Sequence, residues 1–392
     1  MSKVAHTPQL RFPEFSGDWE EKKLSDISDV RDGTHESPKY VLDGFPLITS
    51  KNLLSNGSID FENINLVSEE DYTNINKRSK VDINDILFGM IGTIGNPVIV
   101  KETGFAIKNV ALIKQQKELL NKFMIFYLSG NSIAKQFYIE NTGGTQKFLA
   151  LGVIRSLKIK FPPDTEQQKI AAFLTAVDNK IEQLSKKQAL LGEYKKGLMQ
   201  QIFSQAIRFK ADDGSDFPDW KENKVDEFME VTRGQVLAVP EMRQVESEIF
   251  KYPVYSSQTK NNGLTGYYTD YLFEDCITWT TDGANAGDVN YRAGKFYCTN
   301  VCGVLRSKKG YANLCIAQIL NSVSRRYVSY VGNPKLMNNV MEKIKISIPS
   351  SINEQTKIAN FLSSVDSKIE EVGKQLDESK QFKKALLQQM FV

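Results

Sequence analysis

Two polar loops contain the side chains best suited to bind a ligand through hydrogen bonds and charge. The first is Ser50-Lys51-Asn52, and the second runs from Ser256 to Asn262 as Ser-Ser-Gln-Thr-Lys-Asn-Asn. Hydroxyl, amide and ammonium groups of this kind suit phosphates and the edges of nucleic-acid bases. Read alone, both segments are typical of ordinary polar surface loops. They are therefore candidates for a contact surface and do not identify one.

No catalytic constellation accompanies these loops. The only histidines, His6 and His35, give no convincing nucleophile triad, and the chain has no G-x4-G-K-[ST] phosphate loop. Residues 161–164, Phe-Pro-Pro-Asp, differ from the Asn/Asp-Pro-Pro-aromatic motif of amino-methyltransferases, and the glycines of residues 89–95 do not follow the G-x-G-x-x-G pattern. We expect no catalytic residues and no ATP hydrolysis in this chain.

The four cysteines do not predict a metal site. They are Cys276, Cys298, Cys302 and Cys315. Cys298 and Cys302 form C-x3-C, but no second close pair and no nearby histidine complete a zinc ligand set. So few cysteines in a long chain also argue against a disulfide scaffold. We expect reduced, partly buried thiols and no bound metal.

Length and charge limit the class of protein. The chain has 392 residues, enough for two or more domains, and a net charge of +3. That charge is too small for an autonomous DNA-binding domain, so partners would have to supply much of any phosphate contact. No run of 18 uncharged apolar residues occurs, and residues 1–11 lack the apolar core of a signal peptide. We expect a cytoplasmic protein that does not insert into a membrane.

An internal repeat determines the predicted architecture. Glu166–Phe203 and Glu354–Phe391 align without a gap and are identical at nineteen of 38 positions. Weaker echoes precede each copy: Leu157–Pro162 resembles Ile344–Pro349, and both predict a short strand that ends at proline. The chain therefore alternates a variable globular part with a similar helix, twice.

Each repeated segment has the heptad periodicity of a coiled coil. Apolar residues recur at alternating spacings of four and three. The predicted coiled-coil interface residues are Ile170, Leu174, Val177, Ile181 and Leu184 in the first helix and Ile358, Leu362, Val365, Ile369 and Val372 in the second. Lys195 and Lys383 interrupt both seams at the same place. Because neither helix can bury its stripe alone, we predict that the two pack antiparallel.

The globular parts read as mixed α/β, so the predicted fold class is α/β (α+β). Both contain a strand-like segment that runs into glycine turns, followed by a helical segment: residues 85–95 and 119–135 in the first, residues 275–287 and 314–321 in the second. The predicted boundaries are 1–163 for the first globular domain, 164–206 for the first helix, 207–350 for the second globular domain and 351–392 for the second helix.

The pattern resembles the specificity subunits of type I restriction-modification systems over nearly the whole chain. The most specific resemblance is the repeated E-Q-x-K-I-A-x-F-L-x-x-V-D-x-K-I of the helices. Phrases typical of the family also occur at Asp85–Gly95, Tyr252–Ser257 and Thr281–Gly287. The resemblance implies two target recognition domains that each read half of a split DNA sequence, with the helices as spacer and docking surface.

The resemblance also implies the partners and the division of chemistry. Two modification subunits and the restriction subunits would use S-adenosylmethionine, ATP and Mg²⁺, and this chain would hold no cofactor. The predicted contacts to double-stranded DNA are Ser50, Lys51, Asn52, Thr93 and Lys147 in the first domain and Ser256, Ser257, Gln258, Thr259, Lys260, Asp282, Asn285, Arg292 and Lys335 in the second. The alternative is a coiled-coil interaction scaffold whose two heads bind protein or glycan. A self-contained nuclease or methyltransferase would need motifs that the sequence lacks.

Overall fold

The structure is a computed structural model that describes residues 7–116, 118–140, 148–257 and 260–391. The chain divides into two compact units. Unit 1 comprises Met1–Lys187 and Val372–Val392, and unit 2 comprises Gln188–Glu371. Each unit therefore contains one globular part together with one half of each long helix.

Unit 1 combines short strands with helices. Its strands are β1 Glu20–Lys23, β2 Val30–Asp32, β3 Tyr40–Val41, β4 Phe45–Thr49, β5 Asn65–Val67, β6 Ile86–Gly89, β7 Gly95–Ile99, β8 Ala106–Lys108, β9 Val110–Ile113 and β10 Lys158–Phe161. Its helices are α1 Leu24–Ile27, α2 Glu69–Ser79, α3 Asn121–Leu128, α4 Asn131–Glu140, α5 Leu151–Ser156 and the first part of α6 Asp164–Phe203. The sheets have the orders β2-β9-β6-β7 and β3-β5-β4-β8, and β1 pairs with β10.

Unit 2 has a larger sheet. Its strands are β11 Lys221–Lys224, β12 Glu230–Arg233, β13 Tyr252–Tyr255, β14 Leu264–Tyr268, β15 Phe273–Thr280, β16 Val289–Cys298, β17 Cys302–Arg306 and β18 Lys345–Ile348. Its helices are α7 Val225–Phe228, α8 Leu314–Val323, α9 Asn338–Met341 and the first part of α10 Ile352–Gln389. Six strands form one sheet, β12-β17-β15-β16-β13-β14, and β11 pairs with β18.

The predicted mixed α/β class is confirmed in both units. The two strands expected before proline are β10 and β18, and the helix expected at residues 314–321 is α8. The helical segment expected at residues 119–135 is instead two helices, α3 and α4, separated at Ser129 and Gly130. The strand expected to run into glycine turns within residues 85–95 is β6, and the turn after it leads into β7.

Within each unit, the beginning of one long helix packs beside the end of the other. The core of unit 1 contains Leu174 from the start of α6 together with Leu386 and Met390 from the end of α10. The core of unit 2 contains Ile202 from the end of α6 and Leu362 from the start of α10. The helices are therefore antiparallel, as predicted. All ten predicted interface residues are buried or half-buried.

The lysines that interrupt the seams have partners at equivalent positions. Within unit 1, Lys383 Nζ lies 2.6 Å from Asp178 Oδ1. Within unit 2, Lys195 Nζ lies 2.6 Å from Asp366 Oδ1. Asp178 and Asp366 occupy the same position of the repeat, as do the two lysines. A single antiparallel register therefore produces both ion pairs, which explains why the charge is tolerated in each seam.

The repeated Glu-Gln at the start of each helix ties the helix to its own globular part, and we call this contact the clasp. In unit 1, buried Glu166 accepts hydrogen bonds from Arg11 Nε at 2.8 Å and Nη2 at 2.7 Å. Gln167 Nε2 donates to the carbonyl oxygens of Glu118 and Pro162, each at 2.9 Å. Both side chains thus satisfy polar groups that would otherwise be buried without partners.

The clasp recurs in unit 2. Buried Glu354 accepts from Arg208 Nη2 at 3.1 Å and from Trp220 Nε1 at 3.1 Å. Gln355 Nε2 donates to the carbonyl oxygen of Pro349 at 2.8 Å, and its Oε1 accepts from Asn313 Nδ2 at 2.6 Å. The repeated sequence therefore forms a long helix and also anchors the start of that helix to its globular part.

Candidate nucleic-acid interface

Ser50 marks the centre of a close backbone crossing in unit 1. It follows β4, which runs parallel to β8, and its Oγ donates to the carbonyl oxygen of Asn109 at 2.9 Å. Gly33 lies on the other side of β8. A Cβ there would fall 2.3 Å from the carbonyl oxygen of Ile107, so only glycine fits. The crossing brings three chain segments together at the ends of β2, β4 and β8.

Unit 2 contains an equivalent crossing of three chain segments. Ser256 follows β13, which runs parallel to β16, and its Oγ accepts from Thr299 Oγ1 at 3.0 Å. A Cβ on Gly234 would fall 2.3 Å from the carbonyl oxygen of Cys298. Gly33, Ser50 and Asn109 therefore correspond to Gly234, Ser256 and Thr299. We call these two sets the crossing frames.

Ser50 and Asn52, which the sequence predicted on a DNA-facing surface, are buried in the structure. Ser50 is 2% exposed and Asn52 is 5% exposed. Ser50 Oγ also accepts from the Met90 backbone N–H at 3.1 Å, and Asn52 Oδ1 accepts from the Thr49 N–H at 2.9 Å. Their polar groups close the turn after β4 and are not available to DNA. Lys51 and Thr93 are exposed and stay predictions.

In unit 2, the structure brings three predicted residues to one cleft. Ser256, Asn285 and Arg292 line a cavity of about 280 Å³. Ser257 lies at its edge, where its carbonyl oxygen accepts from Asn285 Nδ2 at 3.4 Å. The predicted Asp282 and Lys335 do not line the cleft; they pair across a neighbouring β-bridge, with Nζ 3.9 Å from Oδ1.

Arg292 is a buried residue, which the sequence did not reveal. It is 8% exposed, and its Nε donates to Thr278 Oγ1 at 3.1 Å. Its Nη2 donates to the carbonyl oxygen of Asn262 at 2.7 Å, and its guanidinium carbon lies 3.8 Å from the centroid of the Tyr255 ring. Burial lowers the pKa of Arg292 from its ordinary value. The guanidinium forms one wall of the cleft.

Several lining residues were not among the predicted contacts. Asp288, Asn321 and Arg325 are three of them, and Asn262 belonged to the candidate polar loop without being named as a contact. The run Asn261-Asn262-Gly263 carried a usable signal, because asparagine and glycine tolerate left-handed backbone, and both asparagines have φ near +50°. Asn321 carried none, since it lies in the apolar helix α8, where it reads as an incidental polar residue.

Four predicted contacts concern atoms that the structure does not describe. Lys147, Gln258 and Thr259 lie outside the described residues, as does the side chain of Lys260.

His35 forms a charged cluster beside the crossing frame of unit 1. Its Nδ1 lies 2.8 Å from Asn109 Oδ1, and its Nε2 lies 2.8 Å from Asp32 Oδ2. Arg78 pairs with the other oxygen of the same aspartate. Both ring nitrogens face oxygen acceptors, and imidazole can donate from both only when it is protonated. The hydrogen bonds to Asn109 and Asp32 raise the pKa of His35 above its ordinary value, against the opposing charge of Arg78.

This cluster predicts a pH-dependent contribution to stability. Because the folded pKa is raised, the stabilisation by His35 is fully present below about pH 6.5 and is lost as the pH rises through the folded value. The melting temperature of wild type should exceed that of His35→Gln most near pH 5.5, and the difference should shrink toward pH 8.5. A difference that stays constant across this range would show that protonated His35 does not stabilise the fold. His6→Gln controls for the other histidine.

The described residues contain neither a metal cluster nor a membrane-spanning helix. No group of three or more histidine, cysteine, aspartate or glutamate side chains in the described ranges could hold a metal ion. None of the described helices is long and apolar enough to cross a bilayer. The four cysteines are free and buried, and burial raises the pKa of Cys302 to about 11. These thiols are therefore protonated at neutral pH.

Comparison with known proteins places this geometry in a family. The family model for the type I restriction modification DNA specificity domain matches the chain twice, at residues 16–191 and 218–378. The two matches each contain one crossing frame and the beginning of one long helix. The chain as a whole is therefore a tandem pair of specificity domains.

Relatives and solved structures agree with the family model. A protein of Mycoplasma pneumoniae described as the N-terminus of a type I specificity subunit is 37% identical over 146 residues, 36% of this chain and 75% of that protein. The type I restriction enzyme MjaX specificity subunit of Methanocaldococcus jannaschii is 25% identical over 95% of this chain and 93% of its own. The S subunit of M. genitalium has the same fold, with a TM-score of 0.66 at 17% identity, over 98% of this chain and 99% of that one. This chain belongs to the type I restriction-modification DNA specificity family, and its function is the recognition of a DNA target.

Proposed function

We propose that each globular part reads one half of a bipartite double-stranded DNA target. Residues 1–163 are the first target recognition domain and residues 207–350 are the second. The helices of residues 164–206 and 351–392 set the separation of the two half-sites and dock two modification subunits. The family supports this reading over that of a scaffold whose heads bind protein or glycan.

One observation carries the proposal: the two crossing frames share their backbone and differ in the side chains around them. In unit 1 the glycine lies within Asp32-Gly33-Thr34-His35, and in unit 2 within Arg233-Gly234-Gln235-Val236. The frame is therefore constant, while the charge and hydrogen-bonding capacity beside it change. Two different readers on one scaffold suit an asymmetric DNA site, because sequence is read by the side chains that reach base edges.

The proposed contacts are the polar residues that the sequence indicated. In the first domain they are Lys51, Thr93 and Lys147, without the buried Ser50 and Asn52. In the second they are Ser256, Ser257, Gln258, Thr259, Lys260, Asp282, Asn285, Arg292 and Lys335.

We assign methyl transfer and the ATP-dependent reactions to partner subunits. We propose that this cytoplasmic chain is not catalytic and chooses the site, while modification subunits transfer methyl groups from S-adenosylmethionine. Restriction subunits use ATP and Mg²⁺. The helices offer a docking surface, since Tyr194 of unit 2 and Phe382 of unit 1 occupy equivalent positions of the repeat and are both exposed. Exposed aromatic residues are enriched where proteins bind one another.

The test is an exchange of the first head. Residues 18–161 are replaced by the matching segment of a relative. The hybrid keeps Arg11 and Glu166 of the clasp, because both lie outside the exchanged segment. The hybrid is co-expressed with the modification subunits, and methylated adenines are mapped across the genome. One half of the methylated sequence should change and the other half should stay. A change in both halves, or in neither, would show that the heads do not read independently. The reciprocal exchange of the second head is the matched control.

A further inference from the structure

The cleft of unit 2 contains a buried positive charge that no described acidic group neutralises. Arg292, 8% exposed, donates to a threonine hydroxyl and a backbone carbonyl and stacks on an aromatic ring, all of which are neutral. Among the described residues it makes no ion pair. A buried guanidinium without a counter-charge is costly, because neutral partners replace only part of its hydration.

The rest of the cleft does not supply the missing negative charge. Asp288 also lines it, but its Oδ1 accepts from Arg325 Nε at 3.0 Å. Among the described lining residues, two arginines and one aspartate give a formal charge of +1. Burial lowers the pKa of Arg292, yet a guanidinium stays protonated at neutral pH, so the charge persists.

The remaining polar groups of the lining favour a ligand that accepts hydrogen bonds. The hydroxyls of Ser256 and Thr299 lie 3.0 Å apart, and when Thr299 donates in this pair the serine proton is available for a ligand. Asn321 Oδ1 accepts from the Val289 backbone N–H at 2.9 Å, which leaves its amide nitrogen as the group to offer. A cationic wall and two neutral donors around an open cleft suit a phosphate group, whose oxygens only accept.

Arg292 keeps donors for a ligand. Its Nε donates to Thr278 and its Nη2 to Asn262. A guanidinium carries five N–H groups, so both hydrogens of Nη1 and one of Nη2 remain for a charge-assisted contact with an anion.

We propose that this cleft is a phosphate-binding site, and that its ligand is a backbone phosphate of the DNA half-site read by the second domain. This assignment of the ligand rests on the proposed function, whereas the anion site itself does not. The contact positions the domain on the duplex and carries no sequence information, so its loss weakens binding to every sequence alike.

The first experiment needs no DNA. Melting of the full chain is followed as inorganic phosphate replaces chloride at constant ionic strength. Phosphate should stabilise the wild type, and Asn321→Asp should raise the apparent Kd for phosphate at least about tenfold, since a charge-assisted bond is lost and the added carboxylate repels the anion. That variant keeps an oxygen for the Val289 N–H. Arg292→Gln should act in the same direction, and Arg306→Gln, which removes an equal charge outside the cleft, should bind phosphate as wild type does.

The second experiment measures DNA affinity against salt concentration. Asn321→Asp and Arg292→Gln should lower the slope of log K against log salt by about one unit, on target and non-target DNA alike. No phosphate stabilisation of the wild type, or equal stabilisation in Asn321→Asp, would overturn the site. Arg292→Gln that changes the preferred base at one position would assign Arg292 to base reading instead. Phosphate binding without any DNA preference would reject the proposed function and leave the anion site standing.

Discussion

Replacing Arg208 by methionine should lower the free energy of unfolding of unit 2 by about 3–5 kcal/mol, because it leaves a carboxylate buried without a counter-charge. Glu354 is buried and accepts from Arg208 and Trp220. Loss of the arginine removes the ion pair of Glu354 and most of the hydrogen bonds that Glu354 accepts. Hydrogen exchange resolves the two units and should show faster exchange in unit 2 than in unit 1.

The matched control separates charge from shape. Glu354→Gln keeps the size of the side chain and removes the buried charge, so Arg208→Met combined with Glu354→Gln should recover much of the loss. Arg11→Met should reproduce the effect in unit 1, where Glu166 occupies the equivalent position. If Arg208→Met alone leaves exchange in unit 2 unaltered, the clasp does not stabilise the fold.

Placing alanine at Gly33 or Gly234 should damage one domain and spare the other. A Cβ at Gly33 would fall 2.3 Å from the carbonyl oxygen of Ile107, and one at Gly234 would fall 2.3 Å from that of Cys298. Backbone of a neighbouring strand cannot yield as a flexible side chain does, so each variant should lose about 2–3 kcal/mol of stability. The displaced frame should also weaken discrimination within its own half-site, by about 1–3 kcal/mol for each misaligned base pair.

The readout is competition between DNA duplexes altered in one half-site at a time. Gly33→Ala should lose preference within the first half-site only, and Gly234→Ala within the second only. Gly152→Ala in unit 1 and Gly197→Ala in unit 2 are controls, since a Cβ at either meets nothing within 4 Å. Equal loss in both halves from one variant would contradict independent frames.

The long helices and several strands could be predicted because their signals are local. The heptads predicted α6 and α10, and proline ended β10 and β18 where the pattern placed them. Ser50 and Asn52 failed for the opposite reason. The partner of Ser50 is the carbonyl oxygen of Asn109, 59 residues away, and nothing in the local sequence shows whether a hydroxyl is consumed by the fold.

The cleft of unit 2 lay largely beyond sequence reasoning. Ser256, Asn285, Arg292 and Asn321 come from four separate segments and meet only after the six-stranded sheet and α8 have packed. The burial of Arg292 and its neutral hydrogen-bond partners also depend on tertiary contacts, because both arise only in the folded unit. Residue type suggested three of these side chains, and no pattern could show that they share one cavity.

The clasp has a consequence for how this family diversifies. Arg11 and Glu166 join the two ends of the first head, and Arg208 and Glu354 join those of the second. A segment whose ends are held together can be lengthened, shortened or exchanged without moving the points where it leaves the scaffold. Trp19 precedes Glu166 by 147 positions and Trp220 precedes Glu354 by 134, so the heads already differ in length while their closures match. Recombination with both breakpoints between the two clasp residues of one head would therefore exchange that head in a single genetic event and leave the helices unchanged.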